Sequence, residues 1–455
     1  MKKIFVYSKE KAAFLFFCIF SAALIVFPKG YGLDGDGWRE ILSGYKLFSE
    51  HIYEPSRFPG YPIPEFLSSL LWFTKIGSVF PGIFNFISVI FSVLAIYFYA
   101  SILEFFRKGD DNRIFLAVLA FGLNTLFFIN SIVLMDYTWS LAFVLGAFYY
   151  ILKGRNNISA ILLAAAAGCR ITAGIMIIPF IFYFIQLYKN QNVSKLIVRY
   201  TLIFSLLLSA IYAPLIIHYG LKFLTYYESG YPTLSFVLGR ATIRVWGIIG
   251  SIAVLSGFII IILNIVLRRR DKNFTGVNTP ILWTIVLSIV LIVLLYIKLP
   301  SEAGYLLPVV PFILILFYLI LSKTFFQIIC YSIILSSFFL NIDQFGFNLQ
   351  GPIIINYYKR VQETKYLDKV IPAILRKEKK SVIICEAFLP KIELSLKLKN
   401  QAVPENIKLI NTLSLDSLKR NYIDKHYDIY YLRDINKQIL ELYKYDPRDF
   451  GGKEF

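Results

Sequence analysis

Histidine and cysteine are nearly missing from this chain, three and four among 455 residues. The cysteines lie far apart, with no CxxC pair and no His-rich cluster, so neither a zinc centre nor a disulfide framework is expected. Charge is scarce too, 17% of residues against 57% hydrophobic ones. With a mean hydropathy of +0.63, that excludes an ordinary soluble globule. The N-terminal region has no dinucleotide-type glycine turn. No internal repeat stands out, which counts against the inverted-repeat plan of secondary transporters. The first apolar run lacks a small-residue cleavage site, so it is expected to stay as a helix.

What is abundant is long hydrocarbon. Residues 12–27, 84–106, 243–267, 281–297 and 305–321 are each long enough, or nearly so, to cross a core roughly 30 Å thick at about 1.5 Å per residue. The net charge of +18 would point to nucleic acid in a soluble domain. Here Lys2, Lys3, Lys9 and Lys11, then Arg107, Lys108 and Arg113, then later clusters up to Arg268–Arg270, fall in alternate connections. That is the pattern of cytoplasmic loops in contact with anionic lipid, and no nucleic-acid partner is expected. Taking the Lys-rich connections as inside gives about eleven spans. It also gives an inner-membrane, multi-pass protein with its N-terminus inside and its C-terminus outside.

The fold class expected is therefore an all-α polytopic membrane protein, residues 1–350, followed by a small extracytoplasmic α/β domain, residues 351–455. From about residue 357 the apolar runs shorten to strand length, as at 381–388 and 428–433, with helical patterns around 358–378 and 435–445. Residues 65–80 are amphipathic and read as a helix lying at the membrane interface.

One polar stretch interrupts the hydrocarbon early, within an outer loop spanning residues 29–82. Membrane proteins avoid carboxylates unless they use them, so Asp34 and Asp36 are candidate catalytic acids. Either caps a helix beginning near Trp38 or takes a proton from an attacking hydroxyl or amine. The pair could also hold a divalent cation, although no cofactor is obligatory. Asp136 stands at another outer junction, as a helix-start acid or an acceptor-orienting one. Arg170, Arg240 and Arg244 are outer cations that either snorkel to headgroups or bind a phosphate. Lys298, Glu302 and Tyr305 occupy a turn that is structural or sugar-contacting.

Taken in order, these segments resemble the GT-C-fold glycosyltransferases that use polyprenyl-phosphate sugars, in particular family 39, the protein O-mannosyltransferases and the aminoarabinose transferases. Asp34-Gly35-Asp36-Gly37-Trp38-Arg39-Glu40-Ile41 is similar to the family's first-loop motif, whose lead acid is the base. Arg57-Phe58-Pro59-Gly60-Tyr61-Pro62 resembles the second half of that loop. Met135-Asp136 with its following helix, AAAAGCRITAGIMIIPF around Arg170, and GYLLPVVP from Gly304 are similar to later segments, covering about residues 10–325. The resemblance implies an inverting sugar transfer on the outer face, from a polyprenyl-phosphate carrier to a glycan, lipid or protein acceptor. Asp34 or Asp36 would be the base. Trp38, Glu40, Arg57, Tyr61, Arg170, Arg240, Arg244, Lys298, Glu302 and Tyr305 would contact substrate. Two alternatives stay open: an envelope polysaccharide polymerase or ligase, and a lipid-linked sugar transporter or flippase.

Overall fold

The computed structural model describes residues 17, 21, 30–79, 82–106, 111–188, 193–221, 231–266, 279–300, 302–343, 346–411, 413–433 and 445–455. The expected first span at 11–28, apart from Phe17 and Ser21, lies outside them. So do the basic residues at positions 2–11, 107–108 and 268–272, and all but the last residue of the helical pattern at 435–445.

Among the described residues the chain is mostly helical. Five helices are long and apolar enough to cross a membrane: Ile83–Phe105, Val193–Tyr219, Leu234–Val266, Thr279–Lys298 and Ala303–Ile320. A sixth is reached if the bent pair Asn112–Gly122 and Thr125–Ser131 counts as one span. This is a multi-pass membrane protein, but the count of about eleven spans is not met. Two expected hairpins account for most of the difference. They form the helices Asp136–Leu152, Asn156–Cys169 and Ile177–Leu187, of 17, 14 and 11 residues. Fourteen residues reach only about 21 Å, short of the hydrocarbon core. Lys323–Phe338, with 16 residues, is short for the same reason.

The first of these short helices sits inside the protein. Trp139, Leu141, Ala142, Val144, Leu145, Ala147 and Phe148 are fully buried, because Asp136–Leu152 is packed between Ile83–Phe105 and Asn156–Cys169. A helix apolar all round belongs in such a core. Ala303–Ile320 is likewise central, whereas Val193–Tyr219 turns most of its apolar surface outward. The 62° bend between Asn112–Gly122 and Thr125–Ser131 has a local cause. Asn124 caps the second helix through Phe127 N–H at 3.1 Å, and its amide donates to Val245 O at 2.9 Å.

The loop helices lie where the sequence places polar residues. Gly35–Ser49 begins earlier than expected, with Asp34 as its N-cap, and Pro62–Phe73 packs against it. Gly37 lets the first of these approach the chain before Asp136: a Cβ there would stand 2.6 Å from Leu134 O.

After Lys323–Phe338 comes a hairpin, β1 (Phe339–Asp343) and β2 (Gly346–Gln350), and then the helix Pro352–Leu375. Beyond it β3 (Ser381–Ile384), β4 (Ile407–Ile410), β5 (Asp428–Tyr431) and β6 (Lys453–Glu454) form an all-parallel sheet in the order β4-β3-β5-β6. β3, SVII, is buried along its whole length, as the centre of a covered parallel sheet requires. The helix Leu389–Leu398 connects β3 to β4 and packs on Gly35–Ser49, with Leu394 buried beside Trp38 and Ile41.

Gly37→Ala is expected to lower thermal stability in detergent, by about 1–3 kcal/mol, through forced separation from Leu134. Gly239→Ala, at a helical position with open space around the added carbon, should leave the melting temperature unchanged. Equal melting temperatures for both variants would remove the close approach as a constraint.

Candidate active site

Asp34 accepts the Asp36 N–H at 3.0 Å, so the first acid is oriented by its own helix. Asp36 and Glu40 are four apart on that helix and share a face. Arg57 enters from the next loop and ties the face to the rest of the protein. Its guanidinium pairs with Asp36, with Glu40 at 3.4 Å and with Asp136 at 2.9 Å. Its Nε–H donates to the Tyr61 hydroxyl at 2.9 Å. Arg170 pairs with the other Asp136 oxygen and stacks over Tyr137 at 4.0 Å and Tyr305 at 4.3 Å.

Glu65 holds the Arg57 loop in place. This buried carboxylate accepts from Tyr53 Oη at 2.6 Å, Ser56 N–H at 2.7 Å and Tyr61 N–H at 3.3 Å. Gly60, at φ +91°, makes the turn that brings Tyr61 back.

Three acids and three arginines meet in this cluster, one of the arginines from its exposed edge. Asp36, Glu40 and Asp136 face Arg57 and Arg170, with Arg39 reaching Asp36 at 3.2 Å from a more exposed position. Burial holds the Glu40 carboxyl well above the usual range; the neighbouring Asp136 adds to this and Arg57 opposes it. Asp36 is also raised by burial, against the pull of Arg57. One of the two buried Glu40 oxygens has no hydrogen-bond partner.

A cavity of about 390 Å³ opens beside the cluster. Asp34, Arg240, Arg244 and Glu302 line its polar part; Leu126, Ile129, Val133 and Ile243 line its apolar part. Arg240 pairs with Glu302 at 3.2 Å. Tyr137 forms the wall between this cavity and a small one of about 30 Å³ lined by Arg170 and Tyr305.

The structure sorts the expected residues into three groups. Asp34, Arg240, Arg244 and Glu302 share the main cavity. Asp36, Glu40, Arg57, Tyr61, Asp136, Arg170 and Tyr305 form the network behind it. Asp136 and Arg170 are therefore not free to meet an acceptor or a phosphate in this arrangement, being buried and paired with each other. Trp38 and Lys298 stand apart. Trp38 is buried, its indole N–H donating to Gly32 O at 2.8 Å and its ring edge-on to Tyr31, so it props up the loop before Asp34. Lys298 is exposed at a helix end, away from the cavity lining. Asp36 already faces two guanidinium groups, which disfavours a cation shared between Asp34 and Asp36.

Sequence reasoning missed the C-terminal contributions. Lys391 Nζ donates to Leu33 O at 2.7 Å and pairs with Glu363 at 2.6 Å. Arg360 donates to Gly30 O at 2.6 Å and to Ile132 O at 3.1 Å. Both reach across more than two hundred residues, and no local pattern marks either one. Tyr137 had a signal, its place beside Asp136. No protein-family model matches the chain, and no curated protein matches it either.

The Glu40 environment gives a pH dependence. A carboxyl whose folded value lies above its ordinary 4.5 binds more protons folded than unfolded across that interval. Stability should then fall as pH rises from about 4.5 toward the folded value. Glu40→Gln should flatten this slope in melting curves taken between acidic and neutral pH. An unchanged slope would mean that Glu40 is ionised in the folded protein.

Proposed function

We propose that this protein is a membrane glycosyltransferase of the GT-C type. It moves a sugar from a polyprenyl-phosphate carrier to a glycan, lipid or protein acceptor at the outer face of the cytoplasmic membrane. The observation that carries this reading is the main cavity, where the capped carboxylate of Asp34 shares one chamber with Arg240 and Arg244 and with an apolar wall. A sugar phosphate on a lipid tail has matching parts: hydroxyls, a dianionic leaving group and hydrocarbon.

In this mechanism Asp34 accepts the acceptor's hydroxyl proton as its oxygen attacks the anomeric carbon. The bond from that carbon to the phosphate oxygen breaks on the opposite side, inverting the centre. Arg240 and Arg244 neutralise the departing phosphate through charge-assisted hydrogen bonds. Asp34 suits the base better than Asp36, because Asp36 is engaged by Arg57 and Arg39 whereas Asp34 is exposed at the cavity. Asp136 and Arg170 act from behind, fixing Arg57 and Tyr137. No metal is required in this scheme.

Purified protein in liposomes should transfer sugar from a polyprenyl monophosphate donor and be inert with nucleotide sugars. Asp34→Asn should lower turnover by about two to four orders of magnitude with donor affinity little changed. Arg240→Gln or Arg244→Gln should each weaken donor use by roughly ten- to a hundredfold. Efficient transfer from a nucleotide sugar without a lipid intermediate would defeat the reading. So would near-normal turnover in both Asp34→Asn and Asp36→Asn.

The orientation has its own test. Cysteines replacing the exposed His51 and Asn411 should react with an impermeant maleimide in intact cells. Labelling only after lysis would place both segments inside.

A further inference from the structure

The hairpin β1–β2 has two chemically different faces. Its register pairs Phe339 with Gln350, Asn341 with Asn348, and Ile342 with Phe347. Pairing and strand alternation therefore place Ile342, Phe347 and Leu349 on one face, and Asn341, Asn348 and Gln350, with Phe339 at the start of the hairpin, on the other. The polar face is used by the protein. Asn341 lines the main cavity, while Asn348 and Gln350 line an open cleft with Lys359. On the apolar face Ile342, Phe347 and Leu349 are 48%, 64% and 72% exposed. A two-stranded hairpin is marginal in water on its own, and this one turns its hydrocarbon outward.

We propose that this apolar face is embedded in the lipid bilayer at the boundary between headgroups and acyl chains. Continuity with the membrane-facing surface carries the assignment. Ile328, Tyr331 and Leu335 are exposed at helical spacing along Lys323–Phe338. That helix leads directly into β1, which packs against Val245–Val266, a segment of one of the spans. Lys359, beside the polar cleft, has the charge to meet anionic headgroups. The hairpin then fixes the depth of the main cavity relative to the lipid surface, since one of its strands lines both. This assignment does not depend on the reaction catalysed.

The test uses full-length protein in phosphatidylcholine–phosphatidylglycerol liposomes. Single cysteines at Phe347, Leu349 and Asn348 would carry the environment-sensitive fluorophore NBD, with labelled wild-type protein as background. Probes at Phe347 and Leu349 should show blue-shifted emission and lose most of it to shallow doxyl-labelled lipid, with little loss to aqueous iodide. The probe at Asn348 should show less of both effects. Iodide quenching without lipid quenching at Phe347 and Leu349 would overturn the proposal. Protection from both quenchers would also overturn it, pointing to a protein contact such as a second copy. Equal lipid quenching at Asn348 would refute the two-faced hairpin. If the cysteine variants do not fold, Phe347→Trp with brominated lipid reads the same depth, and an unquenched tryptophan counts against embedding.

Discussion

The arrangement depends on one buried cation. Arg57 is the point where the loop helix, the loop that follows it and the helix starting at Asp136 are tied together. Without its positive charge, Asp36 and Asp136 would repel each other in surroundings that screen poorly. The guanidinium is a flat, permanently charged fork, so it can hold several carboxylates at once, which a lysine ammonium does less well. Glu65 and Gly60 shape the loop that delivers it. Arg170 does the same service for the far side of Asp136.

This network divides the acids by environment. Three are spent on position, buried or half-buried and paired with arginine. Asp34 alone of the group lies exposed on the cavity, oriented by an N-cap hydrogen bond. The division matters for the proposed chemistry, because a base must be reachable, and a rigid support is what keeps it aimed. The C-terminal sheet domain belongs to the same support. Lys391 and Arg360 hold the carbonyls of Leu33 and Gly30, flanking the turn that ends at Asp34. Arg360 also grips Ile132, so both polar segments of the site are fastened to one element.

Much of the fold was legible because membrane burial writes itself into composition. A run such as 84–106 has one physical solution in hydrocarbon, a helix that satisfies its own backbone. The helical character of most of residues 65–80 and the α/β character of the last hundred residues were legible for similar reasons, through amphipathic spacing and strand-length runs. The span count was less legible. Asp136–Leu152 and Asn156–Cys169 are as apolar as spans yet too short, and hydropathy does not separate burial against protein from burial against lipid.

For the site, the sequence by itself determined which residues carry chemistry: acids and arginines stranded among apolar segments, where charge costs most. Only the tertiary structure decided their roles. It put Asp34, Arg240 and Arg244 around one cavity, withdrew Asp136 and Arg170 into mutual pairing, and turned Trp38 into a strut. It also recruited Lys391 and Arg360, whose partners are backbone oxygens more than two hundred residues away. A backbone carbonyl has no residue identity, so such contacts leave no mark in the sequence. They exist only once packing has removed water and left the lysine or arginine to satisfy them.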